Sequence, residues 1–183
     1  MDDQLVKDSK KLSKLLRHCP ESYGCTVDEH GWADMDRVVR GTSLSRERIA
    51  EVVSAGTRYE ISEDGTRIRA HHGHSSRIGD IEYEPATDVP DILYHGTSEE
   101  NWSKIFESGS IEPMRRVMVH LSDTVDKAMN VARRRGKPVI LAVDSRRMRE
   151  EDYVFFISGD GVYLTHTVPV RFVKGPDIIQ NRE

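Results

Sequence analysis

The pair Asp64-Gly65 lies between two short alternating segments, and no other feature limits the fold of this chain as sharply. Asp-Gly tolerates the left-handed backbone that a tight strand-to-strand connection requires. Tyr59-Glu60-Ile61 and Arg67-Ile68-Arg69 flank Ser62-Glu63-Asp64-Gly65-Thr66, so an antiparallel hairpin is expected there. The two-residue period puts Arg67 and Arg69 on one face, with Ile68 and Ala70 on the other. Two guanidinium groups on one side of a hairpin make an anion clamp; a solvated polar face is the plain alternative.

Upstream of the hairpin the texture is helical. Residues 5–18 place Leu5, Leu12, Leu15 and Leu16 near helical spacing. Cys19-Pro20 ends that pattern, because the residue before proline avoids the α region. Arg17 and His18 therefore fall at a helix C-terminus. Asp34 or Asp36 opens a second helix with Val38 and Val39, and Ser43 or Ser45 a third with Ile49, Val52 and Val53. Helices followed by a hairpin resemble a winged-helix module. Residues 76–92, with Ile78-Gly79-Asp80, Pro85 and Pro90, read as a linker. Beyond them a strand runs from Leu93-Tyr94 into His95-Gly96-Thr97. A helix over 101–108 turns Trp102, Ile105 and Phe106 inward and stops at Gly109. A strand over 117–121, a helix over 124–135, and strands over 139–143 and 161–165 follow. Many short strands with two helices make a compact α+β lobe.

The chain has 183 residues, 37% of them hydrophobic and 32% charged, a globular rather than a disordered balance. A formal net charge of -4 excludes a global positive field. It leaves room for a local basic cleft, which acts within roughly 8–10 Å. Cys19 and Cys25 are too few for a disulfide framework or a four-ligand zinc site, so both are expected as reduced thiols. The start Met1-Asp2-Asp3-Gln4 has no apolar core of a signal peptide, and no apolar run approaches the roughly 20 residues of a membrane span. A soluble, cytoplasmic protein is expected.

Three elements carry chemistry: Leu15-Leu16-Arg17-His18, then Arg67-Ile68-Arg69-Ala70 with Gly73-His74-Ser75, and Tyr94-His95-Gly96-Thr97. Arginine presents a planar, permanently charged fork matched to phosphate, and histidine adds a donor that titrates near neutrality. His71, His72 and His74 lack a cysteine or acidic partner at ligand spacing. They are expected to be solvated or hydrogen-bonded, with no metal. The runs Arg133-Arg134-Arg135 and Arg146-Arg147-Met148-Arg149 read as solvated helix faces, with grips on phosphate as the alternative. Trp32 and Trp102 read as core residues. No Gly-x-Gly-x-x-Gly follows a strand, which excludes a Rossmann site.

Leu16-Arg17-His18, Gly31-Trp32, the segments 67–70 and 73–75, His95-Gly96-Thr97, Val119-His120-Leu121-Ser122, Gly136-Lys137-Pro138 and Gly161-Val162-Tyr163-Leu164-Thr165 come in an order and spacing that resemble the RNA (tRNA) 2′-phosphotransferases. The resemblance runs from about Leu12 to Phe172. It implies a winged-helix RNA-binding lobe over 1–78, a linker over 79–92 and an ADP-ribosyltransferase-like, NAD-binding lobe over 93–183. It also implies a two-step reaction. An internal RNA 2′-phosphate attacks the nicotinamide ribose of NAD and releases nicotinamide. The neighbouring ribose hydroxyl then attacks phosphorus, leaving an RNA 2′-hydroxyl and ADP-ribose 1″,2″-cyclic phosphate. RNA and NAD are the implied partners of a monomer at work in RNA processing such as tRNA splicing.

The same resemblance assigns catalysis to Arg17, His18, Arg69 and Arg116. The last rests on a looser match. The family reads Met-x-Arg-x-His-Val-His-Leu-Ser, whereas here Met118 replaces the first histidine and Arg115 competes one residue away. Strand alternation would put Arg116, Met118 and His120 on one face. Cys19 and His72 stand where the family often has lysine and glutamine. His95, Gly96, Thr97, His120, Ser122, Gly161 and Val162 are the implied NAD contacts; Gly96 also suits close approach of a ligand to the backbone. Two other functions stay open. One is an ADP-ribosyltransferase that modifies a nucleic-acid phosphate or a protein and stops after the first step. The other is a non-catalytic winged-helix nucleic-acid binder.

Overall fold

Leu12, Leu15 and Leu16 recur at helical spacing on α1 (Asp3–Arg17) and are fully buried. Each such side chain contributes roughly 1.5–3 kcal/mol when taken out of water. The computed structural model to which this helix belongs describes residues 3–79 and 81–176; Asp80 of the expected linker and 177–183 of the expected second lobe lie outside them. The described residues form a mixed α/β protein with six α-helices and several small antiparallel sheets, divided into two compact units.

The first unit comprises Met1–Tyr83, Arg115–Val117 and Ser158–Asp160. After α1 come β1 (Trp32–Asp34), α2 (Met35–Thr42), α3 (Arg46–Ser54), β2 (Tyr59–Ile61) and β3 (Arg67–Ala70). Asp34 caps α2 by accepting from the Arg37 N–H, and Ser45 caps α3 by accepting from that of Arg48. Ser43 instead ends α2 in the left-handed region. The hairpin forms where Asp-Gly indicated, pairing Tyr59 with Ala70 and Ile61 with Ile68. In its loop the Asp64 carboxylate accepts from Thr66 N–H and from the Ser62 and Thr66 hydroxyls, which hold it down to about 2. A third strand, β1, lies against the far side of β3, with Trp32 opposite Arg69 and Asp34 opposite Arg67. Its three residues are too few to show a period. Ile68 and Ala70 face the core built on α1, α2 and α3, and Arg67 and Arg69 face away. Trp32 stays with the arginines on that outer face and is only partly buried, which corrects its reading as core.

The second unit comprises Glu84–Met114, Met118–Ile157 and Gly161–Glu183. Its elements are β4 (Glu84–Pro85), β5 (Ile92–Ser98), α4 (Glu99–Ser108), β6 (Ser110–Ile111), β7 (Val119–Leu121), α5 (Val125–Ala132), β8 (Pro138–Asp144), α6 (Ser145–Glu150), β9 (Phe156–Ile157), β10 (Tyr163–Thr165), β11 (Val168–Pro169) and β12 (Val173–Lys174). β5 pairs with β8 along its whole length, and β12 lies on the other edge of β8. A second sheet runs β4-β9-β10-β7, and paired backbone bonds between Tyr94 and Ser122 join it to β5. Leu93, Trp102, Leu121, Leu141, Val143 and Met148 lie in the core. Three expectations need correction. Phe106 is 45% exposed, its ring edge-on to the buried Trp102 one turn before it. A third helix, α6, starts at Ser145, capped by Asp144, whose carboxylate accepts from the Arg147 N–H. β7 starts at Val119 rather than 117, so strand alternation does not reach Arg116. Among the described residues no helix is long and apolar enough to cross a membrane.

Candidate active site

Arg17 ends α1 and is drawn into the first unit until only 9% of it is exposed. Its guanidinium lies 5.7 Å from the centre of the Tyr59 ring, and one arm donates to the Arg58 carbonyl at 3.4 Å. Its own carbonyl accepts from the Ser75 N–H at 2.9 Å, which fixes the Gly73-His74-Ser75 segment beside the helix end. Arg116 enters the same place through a bridge to Ser75 and donates a short hydrogen bond to the Gly73 carbonyl. Gly73 is needed there. Its φ is 86°, and a methyl group on it would meet Arg116 Nη1 at 2.5 Å and Arg17 Nη1 at 3.3 Å. Two permanent cations thus converge on one backbone turn.

The neighbouring histidines are kept neutral. Burial, followed by the fields of Arg116 and Arg17, pulls His18 below its ordinary value. Burial pushes His74, 1% exposed, down to about 3, with the Arg17 field adding to the effect. Its Nδ1 lies 3.0 Å from the Tyr83 hydroxyl, which burial pushes up to about 12. Among the described residues, buried Arg17 Nε, His74 Nε2 and Ser75 Oγ have no hydrogen-bond partner. Polar atoms are seldom left this way, since each costs about 1–3 kcal/mol. Cations, neutral imidazoles and unsatisfied polar groups in one spot suit an anion with several acceptor oxygens.

Arg69 is held differently. Its Nε and Nη2 both donate to Glu60 Oε2 at 2.8 Å, and its face lies over Trp32. Glu60 is also 3.7 Å from His71 Nδ1. His72 pairs through Nε2 with Asp160 at 3.0 Å, and Asp160 accepts from the Ser158 hydroxyl. The structure therefore gathers Arg17, His18 and Arg116 with His74 and Tyr83, and sets Arg69 in a separate Glu60–Trp32 contact. Sequence reasoning quoted His74 within a motif but gave it no role, and missed Tyr83, Glu60 and Asp160. Glu60 lies opposite Arg69 across the expected hairpin, where its register could have marked it; Tyr83 and Asp160 reach their partners through loops that carry no periodic signal.

In the second unit, His95, Gly96 and Thr97 occupy consecutive positions of β5. His95 Nδ1 lies 3.1 Å from the His120 carbonyl, and burial lowers its pKa. His120 itself is on β7, its Nδ1 3.0 Å from the Met118 carbonyl. Ser122 follows β7 at the bridge to Tyr94. Gly161 and Val162 lead into β10, which pairs with β7. Gly161 has φ 78°, and a methyl group on it would touch nothing within 4 Å. Gly96 has a packing reason of its own: a methyl group there would collide with the Ala128 carbonyl, so the glycine lets α5 lie on β5. Thr97, next along β5, is buried as well. Arg133, Arg134 and Arg135 are exposed beyond α5; Arg149 pairs with Asp91 and Arg146 with Glu150.

Comparison with known proteins places this arrangement in a family. A protein from Streptomyces coelicolor described as a probable RNA 2′-phosphotransferase is 41% identical over 179 residues, covering 95% of this chain and 97% of the relative. Proteins of the same description from Burkholderia lata and Pseudomonas aeruginosa are 40% and 41% identical, covering 92% and 95% of this chain and 90% and 99% of the relatives. The model of the RNA 2′-phosphotransferase, Tpt1 / KptA family matches residues 3–167. With conserved length and a match spanning both units, the chain belongs to the RNA 2′-phosphotransferase family, a family of transferases.

Proposed function

We propose that the protein removes an internal 2′-phosphate from RNA by passing it to the ADP-ribose part of NAD, yielding an RNA 2′-hydroxyl, nicotinamide and ADP-ribose 1″,2″-cyclic phosphate. The observation that carries this reading is the cationic turn of the first unit, where Arg17 and Arg116 meet beside buried polar atoms that have no partner among the described residues. The helices and three-stranded sheet of this unit support a winged-helix, RNA-binding lobe; the paired sheets of the second support an ADP-ribosyltransferase-like lobe. Arg17 and Arg116 hold and orient the phosphate and stabilise charge as its phosphorus is attacked. With Tyr83 donating to Nδ1, His74 keeps its proton on Nε2 and serves as a further donor. His18, kept neutral, is suited to accept the proton of the attacking hydroxyl. Arg69 joins this set if phosphate displaces Glu60 as its partner.

NAD fits the residues assigned to it in the second unit. His95 is kept neutral by burial, and the open, left-handed backbone at Gly161 accepts close approach of a ligand. His95, Gly96, Thr97, His120, Ser122, Gly161 and Val162 would hold it. Bound there, NAD supplies a ribose carbon that accepts the phosphate oxygen while nicotinamide departs. The test is incubation with a 2′-phosphorylated oligonucleotide and NAD, followed by separation of products. The cyclic phosphate together with dephosphorylated RNA is expected. Stable ADP-ribosylated RNA would mean a transferase that stops after one step, and unchanged RNA a binding protein.

A further inference from the structure

The face of the hairpin that carries Arg69 continues outward to Arg67. Both guanidinium groups lie over one indole: the Arg69 carbon is 4.4 Å and the Arg67 carbon 5.2 Å from the centre of the Trp32 ring. The register of β1 on β3 creates this stack, because Trp32 lies directly opposite Arg69 and two-residue alternation returns Arg67 to the same side. Each cation also has a carboxylate at its edge. Arg69 is paired with Glu60 at 2.8 Å, and Arg67 lies 3.9 Å from Asp28. Charge on this face is thereby largely balanced, while the planes of the guanidinium groups remain. The Arg67 side chain is 52% exposed.

Arg67, at the outer end of the stack and beside Asp28, is poorly made for gripping a further phosphate, whose attraction is Coulombic and salt-dependent. It is well made for the flat face of a nucleobase, which stacks on aromatic rings and guanidinium planes whatever its sequence. The face also borders the cationic turn. Gly31 precedes Trp32, and a methyl group on it would come within 3.2 Å of His74 Nε2. We propose that Arg67, stacked on Trp32, is the seat of a nucleobase next to the 2′-phosphate, so that the substrate is recognised as a phosphate with an unstacked neighbour. This rests on the reading of the turn as the site of the RNA 2′-phosphate.

The test uses three short oligoribonucleotides with the same internal 2′-phosphate: one intact, one abasic at the 5′ neighbour, one abasic at the 3′ neighbour. Their affinities for the wild-type protein are measured by fluorescence anisotropy at low and moderate salt, and their turnover is followed with NAD. One abasic form should bind about tenfold more weakly than the intact strand. That ratio should be the same at both salt concentrations, and Arg67→Ala should abolish it. Equal affinity of the wild type for all three oligonucleotides overturns the stacking seat, a result that depends on no variant folding. So does an Arg67→Ala variant that weakens all three equally and flattens the salt dependence, since that marks a phosphate contact. Turnover of all three at equal affinity leaves the 2′-phosphate reading standing and removes only the stacking seat. A wild-type protein that neither binds nor processes any of them removes both.

Discussion

Burial sets the protonation of the site histidines more strongly than their charged neighbours do. His74 is held at about 3 in the folded protein against 6.5 ordinarily, with burial as the first cause. Between those values the unfolded chain binds the extra proton. Stability is therefore complete above about pH 6.5 and falls as pH drops toward 3. Thermal melts across this range should show the loss, and His74→Asn should flatten it by up to one proton. The arginines make a different prediction. Under the proposed two-step reaction, Arg17→Ala should slow turnover about 10²–10³-fold, the usual loss for one donor to a developing oxyanion, with ADP-ribosylated RNA accumulating as the second step stalls. Arg116→Lys should fail as well, because an ammonium cannot reproduce a bidentate fork, whereas Arg115→Ala should stay within a few-fold of wild type. Single-turnover assays decide between them: an inactive Arg115→Ala beside an active Arg116→Ala reverses the assignment.

At the scale of elements, single residues decide whether one segment can lie on another. Glycine in a strand ordinarily weakens it, so replacement by alanine is expected to add about 0.5–1 kcal/mol of stability. Gly96→Ala should do the opposite. Its methyl group would collide with the Ala128 carbonyl and reach the Ala132 nitrogen at 3.1 Å, so α5 must move off β5. A loss of about 1–3 kcal/mol in urea unfolding is expected, and unchanged or higher stability would contradict this packing. Gly73→Ala acts on the other unit, where left-handed backbone and the closeness of Arg116 combine. Its expected signature is weakened binding of the phosphorylated oligonucleotide, because the guanidinium is pushed from the turn.

For the whole molecule, a net charge of -4 means that affinity for RNA must come from local contacts rather than a general field. Binding of a single-stranded oligonucleotide should lose affinity with salt at a slope of roughly -0.7 per phosphate neutralised, corresponding to only a few contacts. Affinity that is constant from low to moderate salt would argue against arginine-held phosphate. What the sequence determined by itself was whatever depends on near neighbours. The Asp64-Gly65 turn, the caps Asp34 and Ser45, the leucine face of α1 and the sidedness of Arg67 and Arg69 all follow from spacing and local hydrogen bonding. Family motifs added the class of transferase. The three-residue strand β1 was illegible, because it is stabilised by β3 beside it rather than by a pattern in its own residues. The tertiary structure alone decided that Trp32 lies under two arginines, that Gly96 serves helix packing, and that His74 meets Tyr83 beside Arg17 and Arg116. Burial and pairing between segments are properties of the folded chain, and even for partners as near in sequence as His74 and Tyr83 no spacing rule joins them.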